Sequence, residues 1–310
     1  MSGGAAARPR VARVAAQAKI NLRLRILARE ASGFHQLETL FLRLALADDV
    51  LVRLTDGGRS LDVAGSVDAR QLGPVERNLA WRAADAYSSA AGWPSGFSLE
   101  LTKRIPVGGG LGGGSADAGA VLRALDALAP APLGEVALRT LGAALGADVP
   151  FLSTTGVFAL GWGRGERLLA LPAPPSREVL LVMPSFGVNT ADAYGWLAAS
   201  RVDGAADSTI SDPLDLASLE RWSDLAALAV NDFEPLVAAR HPQIASLVDQ
   251  LLGAGCAPAM MSGSGSTVFG VLPAEGHIDL PQFAAEGSAP APRVLLTRTA
   301  ERVEAVALFE

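Results

Sequence analysis

Glycine is concentrated in one short segment, directly in front of a sequence with helical periodicity. Six of the seven residues from Gly108 to Gly114 are glycine, and Ser115 follows them. Glycine loses more backbone entropy on folding than any other residue, so such a run needs a reason. Without Cβ atoms, successive N–H groups can turn toward one anion, and the positive end of the following helix adds to the attraction. The segment predicts a phosphate-binding loop in which Ser115 caps the helix, donates to a phosphate or binds a metal ion held by it.

The same glycines also satisfy other patterns. Gly108, Gly110 and Gly113 fit the dinucleotide fingerprint G-x-G-x-x-G, which further requires an acidic residue about 20 positions on, at the end of a second strand. Glu135 has roughly that spacing but opens a predicted helix. A Walker phosphate loop is excluded because Ser115 stands where that motif requires lysine. A plain surface turn is the remaining alternative.

Three ordered segments resemble the motifs of one superfamily of small-molecule kinases. "PVGGGLGGGSADA" resembles the second motif of the galactokinase, homoserine kinase, mevalonate kinase and phosphomevalonate kinase superfamily, whose loop wraps the phosphates of ATP. "MMSGSGSTVFGV" is similar to the third, glycine-containing motif. "AKINLRLRILAREASGFHQLETLF" resembles the first motif of the branch that phosphorylates 4-diphosphocytidyl-2-C-methyl-D-erythritol, where "LGADVPFL" and "NDFEP" also recur. The similarity runs from about Lys19 to Val271.

The resemblance implies a catalytic pair formed by Lys19 and Asp148. Asp148 matches the carboxylate that accepts the proton of the substrate hydroxyl, and Lys19 matches the lysine that approaches both groups. Taken without the resemblance, Asp148 is a turn or cap residue before a proline, and Lys19 is a solvated strand residue. Phosphoryl transfer has a loose transition state that depends on positioning and charge stabilisation, both of which such a pair can supply.

A second implied set binds the acceptor substrate, and it consists of Asn21, Phe34, His35, Thr190 and Tyr194. In the family the histidine reads the cytosine edge, because an imidazole can both donate and accept, and aromatic rings stack on the base. Phe34 and Tyr194 match those rings, although the family often has tyrosine where Phe34 stands, so a phenolic hydrogen bond is lost. Thr190 is otherwise a helix cap, and Asn21 is of a type depleted in strands.

A third implied set binds ATP, with Mg²⁺ carried by the nucleotide and bridged to Ser115. Asn78 otherwise caps the helix that follows it, and "SGSGS" is otherwise a plain turn or a support for the first glycine segment. Few acidic residues stand near the motifs, so water and phosphate would supply most ligands of the ion. The set consists of Asn78, Lys103, Pro106, Gly108, Gly109, Gly110, Leu111, Gly112, Gly113, Gly114, Ser115, Gly263, Ser264 and Gly265.

The elements that must position these residues begin with an alternating segment, "AKINLRLRI". It predicts a half-buried strand with Lys19, Asn21 and Arg23 on the polar face. "DDVLVRLTD" and "SLDVAG" predict two strands joined by a hairpin turn at "DGGRS". "NLAWRAADAYSSAAG" predicts a helix ended by Gly92, and "FSLELTKRI" predicts the strand that leads into the glycine segment.

The second half of the chain begins after a proline-rich segment. "LPAPPSRE", Leu171 to Glu178, predicts a boundary between an N-terminal ATP-binding and catalytic domain (1–176) and a C-terminal substrate-binding domain (177–310). The predicted strands "EVLLVMP", "TVFGVL" and "PRVLLTRTA" alternate irregularly with predicted helices. The segment "FEPLVAARHPQIASLVDQLLGAG" predicts one or two of these helices, with a break near Pro242. This mixture favours an α+β class, here the two-domain fold of the kinase superfamily, over a doubly wound sheet.

Composition excludes several functional classes. The 310 residues carry a net charge of −6 and half are hydrophobic, which argues against a general nucleic-acid or membrane-surface binder. Cys256 is the single cysteine, so no intrachain disulfide can form, and three scattered histidines argue against a structural zinc site. No run approaches the ~20 apolar residues of a membrane span, and the first residues lack a signal-peptide core. We expect a soluble cytoplasmic protein, either a monomer or a weak homodimer.

The resemblance therefore implies ATP-dependent phosphorylation of the 2-hydroxyl of 4-diphosphocytidyl-2-C-methyl-D-erythritol, in the non-mevalonate isoprenoid pathway. One alternative is another small-molecule kinase of the same superfamily, against which the base-reading set of Phe34, His35 and Tyr194 argues. The others are a non-catalytic nucleotide-binding protein and an NAD-dependent oxidoreductase. Neither of these would release ADP only when the cytidyl substrate is added.

Overall fold

The computed structural model describes residues 9–29, 35–65, 73–200, 214–275, 281–283 and 290–310. These residues form an eight-stranded and a four-stranded sheet with helices packed against both, which confirms the predicted α+β class. Within the described ranges, no helix has the length and apolar character needed to cross a membrane.

The larger sheet has the order β12-β1-β2-β4-β3. In addition, β5 pairs with the N-terminal part of β2, β6 pairs with β5, and β8 pairs with β1. The long strands β1 and β2 pair antiparallel, which sets Lys19 opposite Arg43 and Asn21 opposite Phe41 on one face. The strands are β1 (Val11–Arg29), β2 (His35–Thr55), β3 (Arg59–Gly65), β4 (Gly96–Lys103), β5 (Phe158–Gly163), β6 (Arg167–Ala170), β8 (Val230–Asn231) and β12 (Ala307–Phe309).

The smaller sheet and the helices complete the architecture. The smaller sheet has the order β11-β7-β10-β9, formed by β7 (Glu178–Met183), β9 (Ala259–Met261), β10 (Val268–Val271) and β11 (Arg293–Arg298). The helices are α1 (Leu79–Ala91), α2 (Gly113–Leu128), α3 (Glu135–Ala143), α4 (Val149–Leu152), α5 (Thr190–Ser200), α6 (Trp222–Leu228), α7 (Glu234–Ala238) and α8 (Gln243–Gly253), with short 3-10 turns at Val75–Arg77 and Leu216–Leu219.

The predicted hairpin at residues 56–60 is wrong. β4 lies between β2 and β3, antiparallel to β2 and parallel to β3. A parallel pair requires a crossover connection, and α1 supplies it between β3 and β4. The local turn residues were read correctly as a turn, but the strand that fills the gap comes about forty residues later in the chain.

The predicted solvent-exposed face of β1 is also wrong. Lys19, Asn21 and Arg23 are all buried. The glycine segment covers Lys19, whose backbone N–H donates to the Leu111 carbonyl over 3.0 Å, and Arg23 pairs with Glu38 at 2.7 Å. Polar residues on this face therefore line an interior, which alternation alone cannot distinguish from a surface.

Helices α1 and α2 follow the predicted boundaries. Asn78 Oδ1 accepts the Ala80 N–H at 2.9 Å and so caps α1, which ends at Gly92 with φ of +63°. Helix α2 begins directly after the glycine segment and is buried along most of its length. Gly119 lets it approach α4, because a Cβ there would collide with the Leu152 carbonyl oxygen.

The coil at residues 171–177 separates β6 from β7, at the position of the predicted domain boundary. The chain nevertheless returns to the larger sheet twice after residue 176, through β8 and β12. The division into 1–176 and 177–310 stays a prediction. What the topology establishes is that β8 brings the start of the "NDFEP" segment beside β1.

Candidate active site

The glycine segment joins β4 to α2 in a conformation that requires glycine. Gly108, Gly110 and Gly112 have φ of +78°, +80° and +72°, values that L side chains rarely adopt. Gly112 occupies the position before the first helical residue, so the interpretation of Ser115 as the helix cap is wrong. The segment leaves the N-terminal N–H groups of a 16-residue helix without a side-chain cap, as an anion site requires.

The third glycine motif, Ser262–Ser266, supports the back of this segment. A Cβ on Gly265 would collide with the Gly110 backbone, and a Cβ on Gly110 would collide with the Ser262 carbonyl. The Ser262 hydroxyl donates to Gly110 O at 3.1 Å. The Asn231 amide in turn donates to the carbonyls of Met261 and Gly263 at 2.9 and 2.7 Å. Glycine is needed here for close backbone approach, so the prediction that this motif supports the first is confirmed.

Lys19 and Asp148 lie together, as the resemblance implied. Lys19 Nζ is 3.3 Å from Asp148 Oδ2, 3.0 Å from Gly110 O and 2.7 Å from Asn21 Oδ1. The lysine side chain is 3% exposed and the carboxylate 29% exposed. One buried ammonium therefore links the glycine segment to a carboxylate that opens toward solvent.

Asp148 lies immediately before α4. The buried side chain of Arg43 holds α4 and the residues that follow it in place. The Arg43 guanidinium donates to the carbonyls of Phe151, Thr154 and Gly156 at 2.9, 3.0 and 2.9 Å. Burial, together with the charge of Arg123, lowers the pKa of Arg43 well below its usual value. Carbonyl oxygens at the end of a helix stabilise a cation, so Arg43 anchors the segment that carries Asp148.

Two cavities meet at the glycine segment. The larger encloses about 1000 Å³ and includes the Lys19–Asp148 pair, while the smaller encloses about 570 Å³. Predicted site residues lining the larger cavity are Lys19, Asn21, Gly108, Gly110, Gly112, Gly113, Gly114, Ser115, Asp148, Thr190, Tyr194, Gly263 and Ser264. Those lining the smaller cavity are Asn78, Lys103, Pro106, Gly108, Gly109, Gly110, Leu111, Gly112, Gly113 and Gly114. Gly265 supports the segment from behind and lines neither cavity.

Three of the predicted acceptor residues, Asn21, Thr190 and Tyr194, line the larger cavity, and His35 lies behind Tyr194 without lining it. Tyr194 stacks on His35 with ring centroids 4.7 Å apart, and burial followed by the charge of Asp148 raises the pKa of Tyr194 to about 12. Thr190 begins α5, where Asn189 rather than Thr190 caps the helix by accepting the Ala191 N–H at 2.8 Å. The Thr190 hydroxyl instead lies 2.9 Å from the Ser264 hydroxyl. Phe34 lies outside the described residues.

Lys103 belongs to a buried cluster that the sequence reading missed. Its ammonium pairs with both Asp48 and Asp117, and Asp48 Oδ1 also accepts the backbone N–H groups of Arg104 and Ile105. Burial lowers the pKa of Lys103, but the two carboxylates outweigh it and raise the pKa above its usual value. The cluster joins β2, β4 and α2, the three elements that border the glycine segment.

Other site residues gave no sequence signal that could be read without the fold. Thr39 and Phe41 line the larger cavity from β2, where a threonine and a phenylalanine are ordinary strand residues. Asn231 lay within "NDFEP", a segment whose recurrence in the family was the available clue. Among the described residues, no group of three or more His, Cys, Asp or Glu side chains is arranged to hold a metal ion.

Comparisons with known proteins identify the family and the fold of the chain. The chain matches the profiles described as "GHMP kinases N terminal domain" over residues 78–156 and "GHMP kinases C terminal" over residues 214–280. Structures of homoserine kinase from Cytophaga hutchinsonii, at 17% identity and a TM-score of 0.65 over 100% of both chains, share the fold.

Similarity in sequence is stronger to one branch. The chain is 39% identical over 265 residues to 4-diphosphocytidyl-2-C-methyl-D-erythritol kinase of Solibacter usitatus, covering 85% of this chain and 82% of the relative. It is 40% identical over 293 residues to the kinase of that name from Anaeromyxobacter sp. (strain K), covering 93% and 90%. A crystal structure of 4-(cytidine 5'-diphospho)-2C-methyl-D-erythritol kinase matches at 32% identity and a TM-score of 0.68, covering 93% of this chain and 98% of that one. The chain belongs to the 4-diphosphocytidyl-2-C-methyl-D-erythritol kinase family, a branch of the GHMP kinases.

Proposed function

We propose that this chain transfers the γ-phosphoryl group of ATP to the 2-hydroxyl of 4-diphosphocytidyl-2-C-methyl-D-erythritol, a step in the non-mevalonate route to isoprenoid precursors. The observation that carries the proposal is the Lys19–Asp148 pair, which lines a cavity that shares its glycine segment with a second cavity. Each substrate can occupy one cavity, so the γ-phosphoryl group would pass from ATP to the acceptor at the glycine segment that the two cavities share. In the proposal the chain acts in the cytoplasm, as a monomer or weak homodimer.

ATP is proposed to occupy the smaller cavity, with its base near Asn78 and Lys103 and its phosphates along residues 108–115. Two features support this orientation. The backbone of the segment leaves no side chain between the helix N-terminus and the cavity except Leu111, which is buried. The dipole of a 16-residue helix also favours negative charge at that end.

Mg²⁺ enters the proposal with the nucleotide, and the residues present suit a loosely held ion. Mg²⁺ keeps several water ligands and is commonly bound by one or two protein groups together with substrate phosphates. The Ser115 hydroxyl lines the larger cavity in the first turn of α2 and is the group that would hold the ion. When bound, the ion would neutralise phosphate charge as the phosphoryl group transfers.

Asp148 is proposed to accept the proton of the 2-hydroxyl as that oxygen attacks phosphorus. Its carboxylate is partly exposed to the larger cavity, so a bound alcohol can contact it. Lys19 holds the carboxylate in place and carries positive charge toward the transferred group. Alignment of two reactants can supply ~7–11 kcal/mol of the barrier reduction, which makes this positioning the larger part of the proposed catalysis.

The cytidyl base is proposed to bind at the end of the larger cavity that Tyr194 lines, beside the stacked His35. The Tyr194 hydroxyl is protonated at neutral pH, so the ring is a neutral stacking surface and a hydrogen-bond donor. Phe34 is proposed as the second stacking ring. The alternative function, a homoserine-kinase-like or mevalonate-kinase-like activity, has no use for a base-binding end.

A coupled assay of ADP release tests the proposal. We expect turnover of ATP with 4-diphosphocytidyl-2-C-methyl-D-erythritol, none with homoserine or mevalonate, and competitive inhibition by CDP against the cytidyl substrate. Turnover of homoserine or mevalonate that ignores CDP would assign the chain to another branch. Absence of ATP turnover with every acceptor would leave the nucleotide-binding and oxidoreductase alternatives.

His35→Ala tests where the base binds. We expect KM for the cytidyl substrate to rise by about 5-fold to 160-fold, the equivalent of the ~1–3 kcal/mol cost of leaving a buried polar group without its hydrogen bond, with KM for ATP unchanged. His241→Ala is the matched control, because His241 also stacks on an aromatic ring, Phe186, with centroids 4.3 Å apart. Phe186 lines neither cavity, whereas the partner of His35, Tyr194, lines the larger one. A rise in KM for ATP instead would reverse the assignment of the two cavities.

A further inference from the structure

The orientation of Lys19 depends on three acceptors. An ammonium group has three N–H donors, and the acceptors around Nζ are Asn21 Oδ1 at 2.7 Å, Gly110 O at 3.0 Å and Asp148 Oδ2 at 3.3 Å. The first of these contacts is the shortest. A change in the position of the Asn21 amide would therefore move the ammonium relative to both the glycine segment and the carboxylate.

Asn21 can serve Lys19 with only one end of its amide. The ammonium donates and cannot accept, so the amide oxygen must face it and the NH₂ group must face away. That NH₂ group donates to Thr39 Oγ1 at 2.8 Å. The ammonium determines which way the amide faces, because a rotated amide would set its NH₂ group against Nζ. The Thr39 hydroxyl, which accepts from the NH₂ group, holds the amide in that orientation.

Thr39 is itself held rigidly. It is 0% exposed, on β2 opposite Leu24 of β1 and Gly161 of β5. The absence of a side chain at Gly161 leaves room for the threonine methyl group, since a Cβ there would lie 3.3 Å from Thr39 Cγ2. A β-branched side chain has restricted χ1 freedom, so the hydroxyl stays directed at Asn21.

We propose that Thr39 is a positioning residue for Lys19, acting through the Asn21 amide. The inference rests on the proposed function, because it assigns how the lysine of that reaction is oriented. It also gives Asn21 a role toward Lys19 in addition to the substrate contact implied for it. Thr39 contacts no reacting atom and is two hydrogen bonds away from the ammonium.

Thr39→Val tests the inference with almost no change of shape. The variant replaces the acceptor oxygen by a methyl group and leaves the Asn21 NH₂ group without a partner. We expect kcat to fall by about 10-fold or more, toward the roughly 100-fold that a 1 Å misplacement can cause, while KM for ATP stays within about twofold. Thr39→Ser keeps the hydroxyl and should retain most of the wild-type kcat. Thr39→Ala, which adds no methyl group beside the amide, should fall in the same direction as Thr39→Val.

Thr299→Val is the matched control, because Thr299 is equally buried, its hydroxyl accepts the Arg177 N–H at 3.1 Å, and it lines neither cavity. Its kcat should equal that of the wild type even if its melting temperature falls as much. If Thr39→Val lowers the melting temperature like Thr299→Val but keeps kcat, the role of Thr39 is structural only and the inference is overturned.

A second readout separates this inference from the proposed function. The rate of acylation of Lys19 by acetic anhydride, followed by peptide mass spectrometry, reports how firmly the hydrogen bonds around Nζ hold the amino group. It requires no substrate. We expect Thr39→Val to raise this rate by about fivefold, the factor that corresponds to one lost hydrogen bond, and Thr39→Ser and Thr299→Val to leave it unchanged. A wild-type chain inactive on the cytidyl substrate would overturn the proposed function alone. An unchanged acylation rate in Thr39→Val would overturn the inference alone.

Discussion

Two lysines next to the glycine segment, Lys19 and Lys103, have similar burial and different surroundings. Their side chains are 3% and 4% exposed, and each pairs with carboxylate. Lys19 has one carboxylate partner, Asp148, which is 29% exposed and lines the larger cavity. Lys103 has two, Asp48 and Asp117, which are 0% and 4% exposed.

The exposure of the carboxylate decides what each pair can do. Removing charges from water costs free energy that an ion pair recovers only when its hydrogen bonds are complete. The Asp48 carboxylate meets this condition by accepting from Lys103, Arg104 and Ile105, and it is enclosed. The Asp148 carboxylate keeps a face open to the cavity, where a substrate hydroxyl can replace water. One cluster therefore holds the loop, and the other is available for chemistry.

Asp148→Asn should separate activity from stability most strongly. The amide keeps the shape of the carboxylate but cannot accept the hydroxyl proton, and it no longer neutralises Lys19. We expect kcat to fall by about 10²- to 10⁴-fold, the range that general base catalysis contributes. The affinity for ATP, measured by calorimetry, should stay near that of the wild type.

The free energy of unfolding of Asp148→Asn should change by less than the ~3–5 kcal/mol typical of a fully buried pair, because this carboxylate is partly solvated although Lys19 is buried. Urea denaturation checks this value. Near-normal turnover would remove Asp148 from the chemistry, and a large loss of stability would make the Lys19 pair resemble the Lys103 cluster.

Asp48→Asn should give the opposite result, a large loss of stability. It breaks a fully buried ion pair and leaves the Lys103 ammonium with one carboxylate, a change that typically costs about 3–5 kcal/mol. Because Asp48 also fixes the backbone at the start of the glycine segment, KM for ATP should rise as well. Urea denaturation and steady-state kinetics measure the two effects.

The neighbouring Asp49 provides the control for Asp48. Asp49 pairs with Arg13 at 2.6 Å on an exposed face of the sheet, where ion pairs contribute roughly 0–1 kcal/mol. Asp49→Asn should therefore leave stability and kinetics almost unchanged. Equal effects of the two substitutions would mean that burial does not distinguish these carboxylates.

The glycine segment and the Lys19–Asp148 pair could be predicted from the sequence, but the buried cluster around Lys103 could not. The glycine run has a local physical reason, and the helix after it follows from apolar spacing, so both were predictable from neighbouring residues. Lys19 and Asp148 came from the resemblance, since 129 positions separate them in a chain of 310 residues. Their approach depends on the register of β1 and on the packing of α2 against α4.

Asp48 and Asp117 had no comparable signal. Asp48 lies in "DDVLVRLTD", where two consecutive aspartates at the start of a strand indicate a solvated turn. Only the pairing of β2 with β4 brings Asp48 to Lys103. The same pairing explains why the predicted hairpin is wrong. Local turn residues contain no information about β4, which comes later in the chain and lies between β2 and β3 in the sheet. Thr39 was hidden for a similar reason, as its hydroxyl has meaning only beside Asn21 on the neighbouring strand.

Asp117 should make the stability of the fold depend on pH. Burial, opposed by the charge of Lys103, raises the pKa of Asp117 from 3.8 to about 7. Between these values the folded chain keeps a proton that the unfolded chain has lost. The contribution of this group to stability is therefore fully present below about pH 4 and is lost as the pH rises to about 7, with a slope of at most about 1.4 kcal/mol per pH unit.

The asparagine side chain in Asp117→Asn does not titrate. The free energy of unfolding of this variant should therefore lack the decrease that Asp117 causes between about pH 4 and pH 7. Urea denaturation of the wild type and the variant at several pH values from 4 to 8 measures the difference between them, in which the contributions of titrating groups that do not interact with Asp117 cancel. We expect the wild type to lose stability relative to the variant as the pH rises through this window and the difference to become constant above it. Parallel curves would mean that Asp117 binds its proton equally in the folded and the unfolded chain, so that burial does not raise its pKa.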